Sequence, residues 1–274
     1  MKAPLRVLLA YGLASLVGAA AFVYPFWLPD GTLSTRSTDA PLIAGVVGAL
    51  AIAAVMAEIR AHTMTGADVA VLGMLSAMAG LMRLIDLPGG GSGIFLLVIL
   101  GAVALGPRRG FLLGLFSMAL SAVVTGGVGP WLPFQMLVLA WVGAALGLIG
   151  RATRRMPPTA ELAVVAVAAW ASAFLYGVLI NLWSWPLTPG EGELQWHPGL
   201  GTGETLRRYW SFYVATSSAW DAAGAFANAV AVIVLGRPVL ATLRRFAARL
   251  DPVVELDADD LDLALDPAPT STPA

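Results

Sequence analysis

Polar side chains recur at helical spacing inside the last apolar stretch of the sequence. Five residues follow one another at steps of three or four positions: Tyr213, Ser217, Asp221, Gly224 and Asn228. This spacing places them on one face of a helix. A carboxylate, an amide and two hydroxyls on one face can hydrogen-bond an organic solute, and the carboxylate can also bind a cation or a proton.

The surroundings of Asp221 restrict what this stripe can do. Asp221 lies near the middle of its apolar stretch, where contact with lipid would cost several kcal/mol. The stripe must therefore face other helices or a cavity. It either lines a solute site or forms interhelical hydrogen bonds, with Asp221 paired to Arg83 in the second case.

Amide and aromatic residues are expected to join the stripe. Gln135 and Asn181 lie near the ends of two other apolar stretches, on the side that the topology below makes the outer one. Aromatic residues crowd the same side: Trp131, Phe134, Trp183, Trp185, Trp196, Trp210 and Tyr213. Most of them fit an interfacial aromatic belt, but Trp220 lies deeper in its stretch. Aromatic faces beside amides favour a ring-bearing organic solute over a bare ion.

Composition excludes most enzyme classes. Of the 274 residues, 58% are hydrophobic and 12% charged, against about 25% charged in soluble domains. The chain is therefore predicted to lie in a membrane. It has no cysteine, its only lysine is Lys2, and motifs of phosphate-binding loops, zinc peptidases and nucleophile elbows are absent. No cofactor, metal or nucleic acid is expected, and any ATP hydrolysis must come from another chain.

Eight apolar stretches define the predicted spans: 7–28, 41–58, 67–85, 93–106, 110–126, 132–150, 160–184 and 209–236. With a cytoplasmic N-terminus, twelve of the sixteen basic residues lie inside; Arg36, Arg83, Arg207 and Arg208 lie outside. This asymmetry follows the positive-inside rule and predicts that both termini are cytoplasmic. The first stretch could instead be a signal peptide cleaved after residue 21, but it continues to Leu28 and is long enough to span.

Two of the spans, 67–85 and 93–106, are short. Their uncharged segments hold fourteen and thirteen residues, which at ~1.5 Å per residue cover about 20 Å of a ~30 Å hydrocarbon core. They meet at an outer loop formed by Gly89, Gly90, Gly91, Ser92 and Gly93. The loop is either a plain linker or a gate over a water-filled recess.

Three segments follow from these patterns. Residues 1–62 are predicted to form two N-terminal transmembrane helices, and residues 63–250 a six-helix substrate-binding membrane core. Residues 251–274 carry seven of the seventeen acidic residues, and this composition predicts a disordered acidic cytoplasmic tail.

Small residues at a spacing of four predict close helix packing. The repeats are Gly106, Gly110 and Gly114, then Gly143 and Gly147. The span 67–85 carries two overlapping pairs, Gly73 with Ala77 and Ser76 with Gly80. Internal packing is the default for such pairs, and this span is the best placed to contact another membrane subunit.

Several motifs between residues 67 and 236 form a recognisable set. They are Gly106-Pro107-Arg108-Arg109-Gly110-Phe111, Gly114, the segment GVGPWLPFQML at 127–137, Trp141-Val142-Gly143, the segment YGVLINLW at 176–183, and Asp221 with Asn228. Together they resemble the substrate-binding S component of an energy-coupling factor (ECF) type vitamin transporter. The segment at 127–137 and the Asp/Asn pair carry most of the specificity.

The resemblance implies a fold and a mode of action. It implies an all-α membrane core of six helices with both ends cytoplasmic, here preceded by two extra helices. It implies a vitamin pocket open to the outside and roofed by the loop Gly89–Gly93. The substrate-binding residues are then expected among Trp131, Phe134, Gln135, Asn181, Trp185, Tyr213, Ser217, Asp221 and Asn228.

The resemblance also implies partners. S components dock on a membrane coupling (T) subunit that carries two ATPases, through a small-residue face on the first core helix, and are thought to topple in the bilayer. Here that face holds Gly73, Ser76, Ala77 and Gly80 in place of an alanine pair. The segment at 127–137 resembles members assigned to cobalamin or related compounds, and the plasma membrane is the expected location.

Three other functions remain open from the residues alone. A stand-alone secondary transporter would use Asp221 as its coupling carboxylate, although no inverted repeat is evident. A membrane-embedded enzyme is disfavoured by the missing nucleophile and metal ligands. A purely structural membrane subunit would need none of the polar stripe.

Overall fold

The computed structural model describes residues 4–27, 40–87, 91–188 and 192–250, so the predicted tail 251–274 lies outside the described residues. Within these ranges the chain forms helices and one two-stranded β-bridge. The elements are α1 (Leu5–Val23), α2 (Ala40–Arg60), α3 (Gly66–Met82), β1 (Asp86–Leu87), β2 (Gly91–Ser92), α4 (Ile94–Leu105), α5 (Pro107–Thr125), α6 (Leu132–Thr153), α7 (Pro158–Ser184), α8 (Thr202–Thr216) and α9 (Ser218–Leu250). Short 3-10 turns, Tyr24–Trp27 and Trp185–Leu187, follow α1 and α7.

Helix length and composition identify a membrane protein. In the described part of the chain, five helical segments are long and apolar enough to cross a membrane: Leu5–Val23, Pro107–Thr125, Leu132–Thr153, Pro158–Leu187 and Ser218–Ala248. The apolar helices α3 and α4 are shorter, with 17 and 12 residues, so α4 rises only about 18 Å. The two short predicted spans are therefore short helices, while the total of eight spans stays a prediction.

The centre of the bundle is α4, which is apolar on all sides. Its residues from Leu96 to Val103 are buried, and it packs against α3, α5, α6 and α9. A helix that is hydrophobic all round belongs in the interior of a bundle. Gly106, at φ 87°, is the single residue that joins α4 to α5, and this left-handed conformation is one that glycine adopts without strain.

The predicted close approach through glycines is confirmed between α5 and α6. A Cβ atom added to Gly110 would collide with the backbone of Gly143, and one on Gly114 with the backbone at Leu139. The two helices therefore touch along their backbones, as small residues permit. This contact fixes the angle between α5 and α6, whose other ends lead toward the candidate site.

Three buried carboxylates pair with arginines at one end of the bundle. Arg108 lies 2.5 Å from Glu58, Arg109 2.8 Å from Asp68, and Arg244 2.5 Å from Glu161. These pairs join α5 to α2, α5 to α3, and α9 to α7. Sequence analysis places all three arginines on the cytoplasmic side, and the structure brings them to the same end.

The two leading helices are anchored to the rest of the chain by polar and aromatic contacts. Glu58 on α2 also accepts hydrogen bonds from Tyr11 on α1, at 3.2 Å, and from Thr63. In the middle of α1, Ser15 accepts a hydrogen bond of 3.1 Å from the indole of Trp141 on α6. Phe22 meets the ring of Phe134 edge-on at 5.1 Å. The extra helices thus pack on α6 along their length.

The predicted single span at 209–236 is wrong. The chain forms two helices, α8 and α9, which are separated at Ser217 (φ −129°, ψ −30°). The hydroxyls of Thr216 and Ser218 bond to the carbonyls of Phe212 and Val214 one turn back, and such bonds compete with regular helix geometry. Asp221 therefore lies in the first turn of α9, not in the middle of a span, and α9 continues past Pro238 to Leu250.

We predict that Glu58→Gln weakens the anchor of α1 and α2. Glu58 is 1% exposed and Arg108 24%, so the substitution leaves a partly buried guanidinium without its carboxylate. Breaking a buried pair in this way costs about 3 kcal/mol. Thermal unfolding of the purified protein should show the loss, and Glu204→Gln, in an exposed ion pair, is the control. Equal unfolding temperatures for the two variants would contradict the prediction.

Candidate functional site

Asp221 is the centre of a polar cluster at the opposite end of the bundle from the three ion pairs. Its Oδ2 accepts a hydrogen bond of 2.8 Å from the hydroxyl of Tyr213 on α8. The kink at Ser217 lets these two residues meet although they belong to different helices. The position of the carboxylate in the first turn of α9 is favourable, because the helix dipole is positive at its N-terminus.

The backbone of α7 forms the wall behind this carboxylate. A Cβ atom added to Gly177 would collide with the carboxylate of Asp221. The absence of a side chain at position 177 therefore makes room for the carboxylate against α7. One turn further along α7, Asn181 accepts a hydrogen bond of 3.0 Å from Ser217 and donates one of 2.8 Å to the carbonyl of Gly177.

The structure thus brings together four of the predicted site residues. Tyr213 contacts Asp221, and Ser217 contacts Asn181, so that α7, α8 and α9 share one polar network. Gly224 has open space where a side chain would lie. Asn228 is 3% exposed, one helical turn below it, and its Oδ1 has no hydrogen-bond partner among the described residues.

The predicted pair of Asp221 with Arg83 does not form. The Arg83 guanidinium instead lies 3.1 Å from the sulfur of Met118 on α5. Tyr176 on α7 is next in sequence to Gly177, which lies against the Asp221 carboxylate, and its ring meets that of Phe95 on α4 at 5.2 Å. Arg83 and Asp221 therefore border the same region without touching each other.

The predicted amide Gln135 lies on α6 and is half-buried. No side-chain hydrogen bond to it is present among the described residues. Phe134, next to it, is 1% exposed and stacks on Trp183 at 4.5 Å. The stack connects α6 with the end of α7, close in sequence to Asn181.

Trp210 meets the ring of Tyr213 edge-on at 5.8 Å, whereas no hydrogen bond or ring contact joins Trp131, Trp185 or Trp220 to the polar cluster among the described residues. Trp185 is 1% exposed and packs with Tyr209 and Phe212 in a separate aromatic core. Its indole nitrogen donates to the carbonyl of Leu194 at 2.8 Å. Trp131 is 45% exposed and Trp220 is 70% exposed. Trp220 lies in the first turn of α9 and not deep in a span, and its ring is exposed.

The predicted gating loop is only partly within the described residues. Gly89 and Gly90 lie outside them, while Gly91 and Ser92 form β2, which pairs with β1 in antiparallel register. β2 packs against α9, and Gly93 packs against the carbonyl of Met82. The Ser92 hydroxyl is buried without a hydrogen-bond partner among the described residues. Gly93 therefore contacts the end of α3, next to Arg83, and β2 contacts α9.

The small residues of α3 divide between two faces. Ser76 is 0% exposed, and a Cβ atom on Gly80 would lie 3.0 Å from the backbone nitrogen of Ser121 on α5. Both residues pack inside the bundle, which corrects the expectation that they contact another subunit. Gly73 and Ala77 lie on the exposed face of α3.

An exposed charge cluster begins α8. Glu204 accepts hydrogen bonds of 2.7 Å from Arg207 and 2.6 Å from Arg208, and these bonds lower the pKa of the Glu204 carboxyl to about 2. Arg208 also donates to the carbonyls of Gly192 and Gln195. The cluster is therefore charged at neutral pH and anchors the connection between α7 and α8.

Sequence reasoning from spacing missed several residues that shape the site. Tyr176 and Gly177 are part of a recognised motif, but their spacing alone gives no role. The buried acids Glu58, Asp68 and Glu161 were not singled out, although each lies near a helix end that is rich in arginine. No group of three or more potential metal ligands occurs within residues 4–27, 40–87, 91–188 and 192–250.

Comparison with known proteins identifies the part of the chain that holds this cluster. The model of a family described as ECF transporter, substrate-specific component, matches residues 67–236, more than half of the 274 residues. No curated protein and no solved structure matches the chain. The matched range begins in α3 and contains Arg83, Asn181 and Asp221.

We predict that Gly177→Ala destabilises the protein. The added methyl group would overlap the Asp221 carboxylate and force it from the wall of α7, so the free energy of unfolding should fall by about 1–3 kcal/mol. Gly224→Ala is the matched control, because nothing lies within 4 Å of its added Cβ and alanine favours helix by about 1 kcal/mol. Thermal unfolding of both variants measures the difference. A stability of Gly177→Ala equal to that of the control would refute the contact.

Proposed function

The chain belongs to the family of substrate-specific components of ECF transporters, and we propose that it binds a vitamin or vitamin precursor at the Asp221 cluster. Members of this family are the substrate-binding parts of a transporter and not enzymes. They work with a membrane coupling subunit and ATPases carried on other chains. The protein is thus the part of an importer that selects the substrate.

The cluster around Asp221 is the observation that carries this proposal. It joins a carboxylate, a tyrosine hydroxyl, a serine hydroxyl and an amide at one end of an apolar bundle. Polar groups of this kind, set in a mostly apolar site, orient small organic ligands. Phe134 and Trp183 add a stacked aromatic pair nearby, which suits a ring-bearing solute.

The side of the membrane follows from the charge distribution. The arginines at the end that holds Glu58, Asp68 and Glu161 favour the cytoplasm by the positive-inside rule. The Asp221 cluster then faces outward, where a substrate of an importer first arrives. We place the protein in the plasma membrane with eight spans, with residues 1–62 as an added helix pair and residues 63–250 as the binding core.

Cobalamin or a related compound is the substrate that we favour. The support is the resemblance of the segment 127–137, GVGPWLPFQML. A second support is the length of the sequence between α7 and α8, since a long outer connection suits a large polar ring system. Coupling to a secondary ion gradient through Asp221 is the alternative, and binding that needs no ion gradient separates the two.

Gly73 and Ala77 are proposed to contact the coupling subunit. Both lie on the exposed face of α3, and Gly73 has open space around it. Beside this face runs an apolar groove of about 420 Å³ between α3, α4 and α9, lined by residues that include Met74, Met78, Leu243 and Phe246. A small-residue face next to an apolar groove suits close contact with another membrane helix.

We predict that Asp221→Ala and Gln135→Ala each weaken binding of the substrate about 10-fold or more, because Asp221 is the centre of the cluster and we propose that the Gln135 side-chain amide, which has no hydrogen bond among the described residues, also binds the substrate. The measurement is titration of purified protein in nanodiscs with vitamins and precursors, without ATP or an ion gradient. Glu204→Ala is the control for loss of an exposed acid. If the unaltered protein binds no vitamin, the proposed function is wrong. If both variants bind the substrate normally, the proposed location of the binding site is wrong.

We predict that Gly73→Leu and Ala77→Leu abolish ATP-driven uptake but leave substrate binding intact. A leucine on this face would hold the coupling subunit away from α3. Gly45→Leu is the matched control, since Gly45 is exposed on α2 with nothing within 4 Å of an added Cβ. Uptake of labelled substrate into cells that also express the coupling subunit and ATPases measures the effect. Loss of binding itself would place the α3 face inside the binding core.

A further inference from the structure

Asp221 is a carboxylate without a cation partner among the described residues. Tyr213 donates to its Oδ2, while no described residue donates to Oδ1, and this oxygen is not sealed from solvent. The acids Glu58, Asp68 and Glu161, by contrast, all pair with arginines. The chain therefore pairs its buried acids elsewhere but leaves this one open.

Arg83 likewise has no carboxylate partner among the described residues. It is the residue that ends α3, and its one side-chain contact within the described part of the chain is with the sulfur of Met118. Met118 is 1% exposed, so the guanidinium reaches toward the interior between α3 and α5. A thioether is a weak acceptor and does not neutralise a guanidinium.

The two charges belong to one region of the molecule. The backbone of Met82, next to Arg83, contacts Gly93, and β2 packs against α9. Tyr176 is next in sequence to Gly177, which lies against the Asp221 carboxylate, and its ring meets that of Phe95, two residues after Gly93, at 5.2 Å. The residues that border this region belong to α3, α4, α5, α7 and α9: Arg83, Phe95, Met118, Tyr176 and Asp221.

Helix ends explain how the charges persist without counter-ions. Arg83 lies at the C-terminus of α3 and Asp221 in the first turn of α9. The helix dipole favours a cation at the C-terminus of a helix and an anion at its N-terminus. Each charge is thus stabilised by its own helix, and neither needs the other as a counter-ion.

We propose that the substrate carries two complementary groups: a cationic nitrogen or polar N–H group that binds Asp221, and an anionic group that binds Arg83. This inference rests on the proposed function and deepens it by defining the class of substrate. Charge-assisted hydrogen bonds of this kind are roughly twice as strong as those between neutral groups. A ligand that lacks one of the groups would leave the facing charge desolvated and unpaired.

The same groups discriminate among candidate substrates. A ring compound satisfies both charges when it carries a phosphate or carboxylate for Arg83 and an amine, a charged heterocycle or an amide for Asp221. Cobalamin meets the requirement through its amides and its phosphodiester. A neutral ring compound without an anionic group does not meet it.

The test compares ligands that differ by one charged group. Purified full-length protein in nanodiscs is titrated with thiamine and thiamine phosphate, riboflavin and flavin mononucleotide, pyridoxine and pyridoxamine 5′-phosphate, and cyanocobalamin. The tightest ligand is then titrated into Asp221→Asn and Arg83→Gln. Glu204→Gln and Arg207→Gln are matched controls, since they remove an exposed acid and an exposed base at the start of α8. Thermal unfolding establishes that each variant is folded.

The expected result is a tightest ligand that carries both groups. Asp221→Asn and Arg83→Gln should each weaken its binding about 10- to 100-fold, and the controls should not. When the tightest ligand has a counterpart without the anionic group, Arg83→Gln should change binding of that counterpart far less.

Three results would overturn the inference, and they differ in whether the proposed function also fails. If a ligand binds and both Asp221→Asn and Arg83→Gln bind it as tightly as the unaltered protein, the charge assignment is wrong while the proposed function stands. If the tightest ligand lacks an anionic group, the role of Arg83 is wrong in the same way. If no compound binds the unaltered protein, the proposed function fails and this inference fails with it.

Discussion

The arrangement of this bundle depends on the free-energy cost of burying charged side chains in an apolar interior. At one end, Glu58, Asp68 and Glu161 are buried, and each is neutralised by an arginine from a neighbouring helix. Those pairs join α2, α3, α5, α7 and α9, so the same contacts that neutralise charge also hold the helices in register. At the other end, Asp221 has a tyrosine hydroxyl but no cation partner among the described residues. One end of the bundle is therefore neutralised by ion pairs, and the other holds the carboxylate at which we propose that the substrate binds.

Backbone contacts supply the rigidity that such a site needs. The glycines of α5 and α6 bring the two helices into backbone contact, and the short, fully apolar α4 fills the centre. Gly177 lets the Asp221 carboxylate lie against α7. The kink at Ser217 turns α8 so that Tyr213 can reach Asp221. Small residues and one helix break thus position the polar groups.

Periodicity and charge predicted much of this arrangement. The apolar stretches predicted the helices, and the glycine spacing predicted the α5–α6 contact. The stripe predicted that Tyr213, Ser217 and Asp221 are neighbours, and the topology placed Asn181 on the same side. The break at Ser217 was not predictable from hydropathy, because Thr216 and Ser218 fit a helix as well as a kink. The pair of Asp221 with Arg83 was wrong because each charge is stabilised at a helix end. Spacing also could not tell that Ser76 and Gly80 face α5 while Gly73 and Ala77 face outward.

The central claim is that the protein binds its substrate between α7, α8 and α9 at Asp221. The most direct measurement is an experimental structure of the protein with its substrate bound, by crystallography or by electron microscopy of a nanodisc complex. The account predicts ligand density in contact with Asp221 and beside Asn181 and Tyr213. Density that lies elsewhere, with the Asp221 carboxylate bonded only to protein groups, would contradict it.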